Sequence, residues 1–295
     1  MKIVITGSLG HISKPLAEEL LQNGHTVTVI SSNPQKQKEI EALGAAAAIG
    51  SLEDVDFLTQ TFAGADAVYS MIPPNNYFDH TLDLRAYCHR LAGNYVESLR
   101  NSGVRRLVHL SSIGAHLEKD SGIILAHHEV EVKLATLSAI DITFMRPTSF
   151  YYNLYNFVPQ IKALGFISSN YGEDDLIPYV SPIDIASAIV EELENSTAHR
   201  KIRYVASDER TASETAQILG AALGIPDLQW KLVSDHEALK QLIHIGMNTQ
   251  IAKDLVEMYA GFHNGKLTED YVRNRPAQMG NIKLTDFARE FASAF

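Results

Sequence analysis

The sequence predicts an α/β protein in which helices cover both faces of a parallel sheet. Three observations support this fold class. A β-branched strand, a glycine turn and an apolar helix follow one another over residues 2–22, short apolar strands then alternate with helices up to residue 146, and no internal repeat interrupts them. Strands and helices at this spacing form parallel βαβ units with right-handed crossovers. The predicted fold is therefore a Rossmann-type doubly wound parallel sheet, with a smaller, mainly helical C-terminal domain.

The first strand, turn and helix predict a site for a dinucleotide. Residues 3–5 form a β-branched run that suits a buried strand, and Gly7 and Gly10 permit a sharp turn with close backbone approach. Unpaired amides at the start of the following helix point at whatever anion binds there. Ser13 takes the place of the third glycine of the usual fingerprint and is nearly as small. The residues assigned to the pyrophosphate and its surroundings are Gly7, Ser8, Leu9, Gly10, His11 and Ile12. For His11, a solvated position on the turn is the alternative.

The residues after the second strand, which spans residues 27–30, contact the ribose of the cofactor and decide between NAD and NADP. Sites that prefer NAD usually carry an acidic residue there, which binds the ribose hydroxyls and repels a 2′-phosphate. This chain has Ser31, Ser32 and then Lys36 in that region, with no acid. We therefore expect NADP, with NAD still possible because no arginine is present. Lys36 has an alternative role as a solvated residue on a helix predicted over 34–43.

Two further strands, at residues 45–49 and 66–72, complete this half of the sheet. Ser51 is expected to cap the helix after the third strand. The fourth strand leads into the stiff loop 73–77, where a cofactor can cross the edge of the sheet; a merely rigid connection is the alternative. The cofactor contacts assigned to this part of the chain are Ser51, Leu52, Met71, Ile72 and Pro73.

The later elements predict a second, smaller lobe. A long helix over 79–101 ends at Gly103, a fifth strand over 106–112 ends in Ser111 and Ser112, and a helix over 125–138 precedes a sixth strand over 141–146. A strand over 201–206 is expected to return to the main sheet. Helices are predicted over 211–223, 236–245, 251–262 and 286–291. We expect residues 1–150 and 181–208 to form the cofactor domain. Residues 151–180 and 209–295 should form a substrate-binding lobe over the carboxyl ends of the strands.

The composition excludes several classes of function. The 295 residues carry a formal net charge of −10, so a general nucleic-acid binder is not expected. The one cysteine, Cys88, excludes an intramolecular disulfide and a cysteine-based metal cluster, and the twelve histidines show no convincing metal-ligand spacing. No apolar run is long enough to span a bilayer, and no signal-peptide pattern precedes the first strand. We expect a cytoplasmic protein without metal or membrane partner.

Three motifs in order give the chain a family resemblance. Residues 6–13, Thr-Gly-Ser-Leu-Gly-His-Ile-Ser, resemble the Thr-Gly-Ala-Thr-Gly opening of atypical short-chain dehydrogenase/reductases. Residues 146–153 are similar to their Arg-Pro-x-x-Phe-x-x-Asn segment, and residues 180–186 to their Val-x-x-x-Asp-Ile-Ala signature. Together these motifs resemble the NmrA-like branch. The helix at 125–134 is similar to the corresponding helix of bacterial NADPH-dependent quinone reductases.

The resemblance implies a catalytic pair that this chain lacks. Reductases of the wider superfamily carry Tyr-x-x-x-Lys on this helix, where the lysine lowers the pKa of a proton-donating tyrosine. An alignment on Glu131 puts Ile123 at the tyrosine position and His127 at the lysine position, while Ser111 or Ser112 remains where the serine belongs. Ser112 and His127 are the candidate catalytic residues, since a histidine of ordinary pKa can supply a proton near neutral pH. For His127 and its neighbour His128, partly exposed helix positions are the alternative.

Near the expected nicotinamide, aromatic residues suggest a pocket for a flat molecule. Ser111 and Pro147 are assigned to the cofactor and Arg146 to a structural role, and aromatic side chains follow over residues 150–157. The flat rings of Phe150, Tyr151 and Tyr152 suit a planar substrate, although aromatics also pack domain junctions. The predicted pocket residues are Tyr77, Phe150 and Tyr151.

Two functions follow from these expectations. The first is an NAD(P)H-dependent oxidoreductase that passes a hydride directly to quinone-like or other small electron-poor substrates. The alternative is a non-catalytic NADP(H)-sensing regulator of the NmrA type, whose protein partner would bind in only one redox state of the cofactor. An isomerase is a lesser option, weakened by the same missing tyrosine.

Overall fold

Twelve strands and twelve helices are formed by residues 1–195 and 199–295, the part of the chain that this computed structural model describes. The strands are β1 (Lys2–Ile5), β2 (Thr26–Ser31), β3 (Ala46–Ile49), β4 (Ala67–Met71), β5 (Arg106–Leu110), β6 (Asp141–Pro147), β7 (Ser149–Phe150), β8 (Ile167–Ser169), β9 (Leu176–Val180), β10 (Arg200–Val205), β11 (Asp208–Thr211) and β12 (Trp230–Leu232). The helices are α1 (Ser13–Gln22), α2 (Gln37–Ala42), α3 (Val55–Phe62), α4 (Leu84–Ser102), α5 (Leu125–Leu134), α6 (Val158–Leu164), α7 (Pro182–Asn195), α8 (Ala212–Leu223), α9 (Asp235–His244), α10 (Thr249–His263), α11 (Glu269–Arg273) and α12 (Leu284–Ser293). Single 3₁₀ segments precede α2, α5 and α6.

The central sheet has seven parallel strands in the order β10-β6-β5-β4-β1-β2-β3. The strand order reverses at β1, which lies between β2 and β4, and ligands of open α/β sheets bind outside the carboxyl ends of the strands at such a point. Helices α1 and α7 pack on one face, and α3, α4 and α5 pack on the other. The predicted doubly wound fold is confirmed.

The C-terminal lobe is less purely helical than predicted. Besides its helices it contains a three-stranded sheet, β11-β9-β7, and the pair β12-β8. Its core is rich in aromatic rings; the ring of Tyr151, for example, stacks on Phe287 at 5.2 Å. The strands pair segments that lie far apart in the chain, such as Ile167 with Trp230, and a local sequence pattern carries no information about such partners.

Some helix starts differ from the prediction because other residues cap them. Helix α3 is capped by Asp54, whose side chain accepts a hydrogen bond from Phe57 N at 3.0 Å, while Ser51 accepts one from Glu53 N. The expected Ser51 cap is therefore wrong. Helix α4 begins at residue 84, five residues later than predicted, because Asp83 caps it.

Asp184 joins the two parts of the chain. The sequence suggests that this first-turn acid favours the dipole of α7. In the structure its Oδ2 accepts a hydrogen bond from Ser207 Oγ at 2.5 Å, and its Oδ1 accepts one from Asn281 N at 3.0 Å. A Cβ atom added to Gly280 would lie 2.3 Å from Asp184 Oδ2, so the backbone passes directly over the carboxylate. Asp184 thus fastens the segment before α12 to the cofactor domain.

Candidate cofactor and substrate site

The glycine turn has the backbone shape of a phosphate cradle. Gly7 has φ +90° and Ser8 has φ +54°, both in the left-handed region. A Cβ atom on Gly7 would lie 2.6 Å from Ser13 Oγ, which itself donates a hydrogen bond to Thr6 O at 2.8 Å. Ser13 is 3% exposed, and its hydroxyl ties the start of α1 to the end of β1. Serine therefore closes the strand and helix onto each other where the usual fingerprint has a glycine.

The start of α1 has no side-chain cap. The N-cap position is Ile12, and no side chain accepts a hydrogen bond from the helix start. Lys14 N already donates a hydrogen bond to Gly10 O at 3.0 Å, whereas the amide of Ile12 has no described acceptor and can bind an anion. Ser8 Oγ donates a hydrogen bond to Ser31 Oγ at 2.9 Å, which holds the turn against the end of β2. These residues fit a dinucleotide pyrophosphate.

The three side chains predicted to contact the ribose 2′-phosphate differ in whether they are free to bind it. Ser31 is buried and bound to Ser8, whereas the next residue, Ser32, is exposed. Lys36 forms an ion pair with Glu39 at 2.7 Å, and the same contact lowers the pKa of the Glu39 carboxyl. Ser32 is therefore the side chain of the three that is both exposed and without a described hydrogen-bond partner. Ser51 and Leu52 follow β3 at the sheet edge, where Leu52 O accepts a hydrogen bond from Asn94 Nδ2 at 3.1 Å.

The end of β4 lies directly beside the glycine turn. Met71 N donates a hydrogen bond to Thr6 Oγ1 at 3.1 Å, and Met71 O accepts one from Tyr95 Oη at 2.8 Å. The Met71 side chain would be 3.3 Å from a Cβ atom on Gly7. Met71, Ile72 and Pro73 thus begin the loop next to the point where the strand order reverses.

The two serines after β5 have different environments. Ser111 is buried and donates a hydrogen bond to Glu131 Oε1 at 2.5 Å. Glu131 also binds Arg146 in a bidentate pair, with distances of 2.9 Å to Nε and 2.7 Å to Nη2. Ser112 is partly exposed and has no described side-chain hydrogen bond. Of the two serines, only Ser112 keeps a hydroxyl for a ligand.

Arg146 connects the cofactor domain with α11. Its Nη1 lies 3.2 Å from Asp270 Oδ2, and Tyr204 Oη donates a hydrogen bond to the same carboxylate oxygen at 2.6 Å. Burial alone would lower the pKa of Arg146, but its hydrogen bonds with Glu131 outweigh burial and raise it. This observation agrees with the expected structural role of Arg146. The partner of Arg146 is Glu131, which lies on a different element, α5. A local sequence pattern does not reveal this pairing.

The histidine at the lysine position is not an ordinary proton donor. His127 keeps part of its surface exposed, but its Nδ1 is buried without a described partner, and burial lowers its pKa to about 4. It is therefore neutral near pH 7, and the expectation of a histidine that titrates near neutral pH is wrong. His109 on β5 is fully buried, and its Nδ1 lies 2.8 Å from Ser70 Oγ. Burial and the nearby His127 lower the pKa of His109 to about 3.

Aromatic rings connect the glycine turn with the substrate segment. The exposed His11 stacks on Tyr152, with ring centroids 4.8 Å apart, and Tyr152 stacks on Phe150 at 5.0 Å. Burial raises the pKa of Tyr152. His11 is thus more than a solvated turn residue, because its ring is the first of three in the aromatic stack.

Tyr151 does not belong to this stack. It is 1% exposed, its ring lies against Phe287 and Tyr179, and its hydroxyl donates a hydrogen bond to Ile282 O at 3.0 Å. The 3₁₀ geometry of residues 151–157 turns successive side chains in different directions. Tyr151 consequently packs in the core of the lobe, and Tyr152 replaces it beside Phe150. Pro147 ends β6 immediately before this segment.

Neither a metal cluster nor a membrane span is found in the described part of the chain. Within residues 1–195 and 199–295, no three metal-ligating side chains come together. In the same ranges no helix is both long and apolar enough to cross a bilayer.

The glycine turn, the uncapped helix start and the order of the sheet define a class of protein. A family model described as NAD(P)H-binding matches residues 7–196. Since the match covers more than half of the chain, the protein belongs to this NAD(P)H-binding family.

Particular relatives cover nearly all of the chain. It is 24% identical over 302 residues to an NAD(P)H azoreductase from Xenophilus azovorans, with 99% of each chain covered. The structure of an NADPH-dependent quinone oxidoreductase from Escherichia coli, complexed with NADPH, superposes with a TM-score of 0.83 at 20% identity, covering 98% of this chain and 99% of that one. NmrA, a negative transcriptional regulator, superposes with a TM-score of 0.72 at 13% identity, covering 99% of this chain and 96% of that one. These superpositions confirm the expected Rossmann-type fold.

Proposed function

We propose that the protein is an NADPH-dependent oxidoreductase that reduces quinone-like, planar and electron-poor substrates by direct hydride transfer. The observation that carries this proposal is the stack of His11, Tyr152 and Phe150, which begins at the phosphate turn. An electron-poor ring gains more from an aromatic face than an aliphatic carbonyl compound does. The azoreductase and the quinone oxidoreductase to which the chain is similar support this substrate class, because azo and quinone groups are both conjugated electron acceptors.

The cofactor half of the site supports NADPH. The amides of the glycine turn would hold the pyrophosphate, and Ser32 would face the ribose 2′-phosphate. The absence of an acid after β2 leaves that phosphate unrepelled. When bound, the reduced nicotinamide supplies the hydride.

The chain's own residues orient the substrate and supply hydrogen bonds. The aromatic stack fixes the plane of the ring, and Ser112 offers a hydroxyl to a substrate oxygen. Reduction of a quinone to a hydroquinone takes one hydride and one proton. A hydroquinone anion is a far weaker base than an alkoxide, so water can protonate it and no strong acid is required at the positions of Ile123 and His127. A quinone substrate is therefore compatible with the missing Tyr-x-x-x-Lys pair, whereas a simple ketone is not.

The direct test is the oxidation of NADPH, followed by its loss of near-ultraviolet absorbance, with benzoquinone, naphthoquinone, an azo dye and an aliphatic aldehyde. We expect turnover with the quinones and none with the aldehyde. Tyr152→Leu should raise the KM for the best quinone about fivefold through lost stacking. Tyr155→Leu, from the same 3₁₀ segment but packed against Phe291 in the lobe, should leave that KM unchanged. Equal rates with and without protein for every acceptor would overturn the proposal.

One observation favours the alternative of a cofactor-sensing regulator. The hydroxyl of Ser111, which the family uses toward a substrate, is bound to Glu131. A sensor must bind NADP⁺ and NADPH with different affinities, because a ligand shifts an equilibrium only by differential binding. Calorimetric titration with each form decides the matter: equal affinities exclude the sensor, and a large difference without quinone turnover supports it.

A further inference from the structure

The loop between β4 and α4, residues 73–83, contains no helix or strand. It begins two residues after Met71, which lies beside the glycine turn. Its Tyr77, one of the predicted pocket residues, packs against the hydrophobic cluster around Met247 and Ile251 at the start of α10. The loop therefore runs from the glycine turn to the C-terminal lobe.

One residue, Asn248, ties this loop to the C-terminal lobe. Asn248 N donates a hydrogen bond to Tyr77 O at 2.9 Å, and its Nδ2 donates to Asp79 O at 2.9 Å and to Leu82 O at 3.4 Å. Among the described residues, these are the hydrogen bonds that join residues 73–83 to the lobe. Asn248 is 6% exposed, so water does not compete freely for these contacts.

The Asn248 side chain also caps α10 through its oxygen atom. Asn248 Oδ1 accepts hydrogen bonds from Gln250 N at 2.9 Å and from Ile251 N at 3.3 Å, which caps α10. The side-chain oxygen thus stabilises the helix, and the side-chain nitrogen holds the loop at Asp79 and Leu82, whereas Tyr77 O is held by the backbone N–H. Because the two tasks use different atoms, a substitution can remove one and keep the other.

We propose that Asn248 is a positioning residue for the substrate cleft, because its side-chain amide clasps residues 79 and 82 of the loop that begins beside the glycine turn. This inference rests on the proposed function, since it names the residue that keeps one wall of the proposed quinone pocket in place. The rest of the loop is organised internally: Asp79 N donates to Asn76 O at 3.0 Å, and Thr81 N donates to Asp79 Oδ1 at 2.8 Å. Without the side-chain clasp, residues 79–82 lose their hydrogen bonds to the lobe, and the pocket widens.

The test compares three variants. Asn248→Ser keeps a capping oxygen for α10 but loses the side-chain amide donors, and Asn248→Ala loses both; each variant keeps the backbone hydrogen bond to Tyr77 O. Asn170→Ser is the matched control, because Asn170 is also buried and its Nδ2 donates to Asp235 Oδ1 and Val256 O, both at 2.8 Å, within the lobe and away from the loop. Hydrogen–deuterium exchange of the 73–83 segment is measured with NADPH present, together with kcat and KM for a quinone and the denaturant midpoint.

For Asn248→Ser we expect exchange of the 73–83 segment to become about fivefold faster and the quinone KM to rise about fivefold, with kcat within about twofold of wild type. Asn248→Ala should show the same kinetics and a lower denaturant midpoint, and Asn170→Ser should lower the midpoint alone. Unchanged exchange in Asn248→Ser, or a KM change no larger than that of Asn170→Ser, overturns the clasp. If wild-type protein turns over no quinone, the proposed function fails, while the exchange rates still decide whether Asn248 holds the loop.

Discussion

The two halves of the site are built in different ways. In the cofactor half, the binding groups are backbone amides, and side chains such as Ser13 and Ser8 hold the turn in shape. In the proposed substrate half, the polar side chains of Ser111, Glu131 and Arg146 are bound to one another. The difference shows that the turn depends on backbone shape, whereas the polar groups beside it serve the stability of the fold.

The largest expected effect tests whether Glu131 is structural. Glu131→Ala should lower the free energy of unfolding by about 3–5 kcal/mol, because it leaves Arg146 buried without its bidentate partner. Glu129→Ala, two residues earlier on α5, removes a mostly exposed ion pair with Arg85 and should cost at most about 1 kcal/mol. Urea unfolding of both variants measures the difference. Equal costs would mean that the buried pair contributes no more than the exposed one.

The next effect tests the backbone geometry of the cofactor half. Gly7→Ala should weaken NADPH binding by about two orders of magnitude, because it adds left-handed strain and a clash with Ser13. Gly24→Ala is the matched control: Gly24 has a similar φ of +82°, but a Cβ atom there meets nothing within 4 Å. Calorimetry should find unchanged NADPH affinity for Gly24→Ala. If both variants bind NADPH equally well, the turn is not the phosphate site.

A third prediction concerns the buried histidine beneath the substrate half. The folded pKa of His109 is about 3, and its unfolded value is near 6.5, so the unfolded chain binds more protons below that value. The stability that neutral His109 contributes is complete above pH 6.5 and is lost as the pH falls toward 3. The loss amounts to about 2 kcal/mol at pH 5.

The measurement is urea unfolding at pH 7 and pH 5. His109→Asn should reduce the loss of stability between these values by about 2 kcal/mol, since asparagine does not titrate. His236→Asn, on the exposed surface of α9, should leave that loss as it is in the wild type. An unchanged pH dependence in His109→Asn would show that another group causes the acid sensitivity.

The smallest effect tests the choice between NADP and NAD. Ser32→Asp should weaken NADPH binding about tenfold through repulsion of the 2′-phosphate and leave NADH binding nearly unchanged. Lys36→Ala should change NADPH affinity less than about threefold, because Lys36 is paired with Glu39 on the surface. The dissociation constants of both cofactors are compared by titration of intrinsic fluorescence. A larger loss in Lys36→Ala than in Ser32→Asp would reverse the assignment.

Whether a feature can be predicted from the sequence depends on how far apart in the chain the contacting residues lie. The strands from β1 to β6 and the glycine turn follow from local patterns, because alternation and turn residues are readable within about twenty residues. The start of α4 and the cap of α3 were predicted less well, since several nearby acids compete for each cap. The sheet pairs of the C-terminal lobe and the burial of Tyr151 depend on partners far along the chain, such as Phe287, and were not predicted.

The sequence by itself determined the parallel sheet, the cofactor turn and the missing Tyr-x-x-x-Lys pair, because each depends on residue types at fixed local spacing. Only the tertiary structure decided that Ser111 is bound to Glu131, that burial lowers the pKa of His127, and that Tyr152 rather than Tyr151 faces Phe150. These outcomes depend on desolvation and on side chains that meet from separate segments. The Gly7–Ser13 turn follows from its own residues, whereas the surroundings of the proposed substrate pocket depend on segments from the rest of the fold.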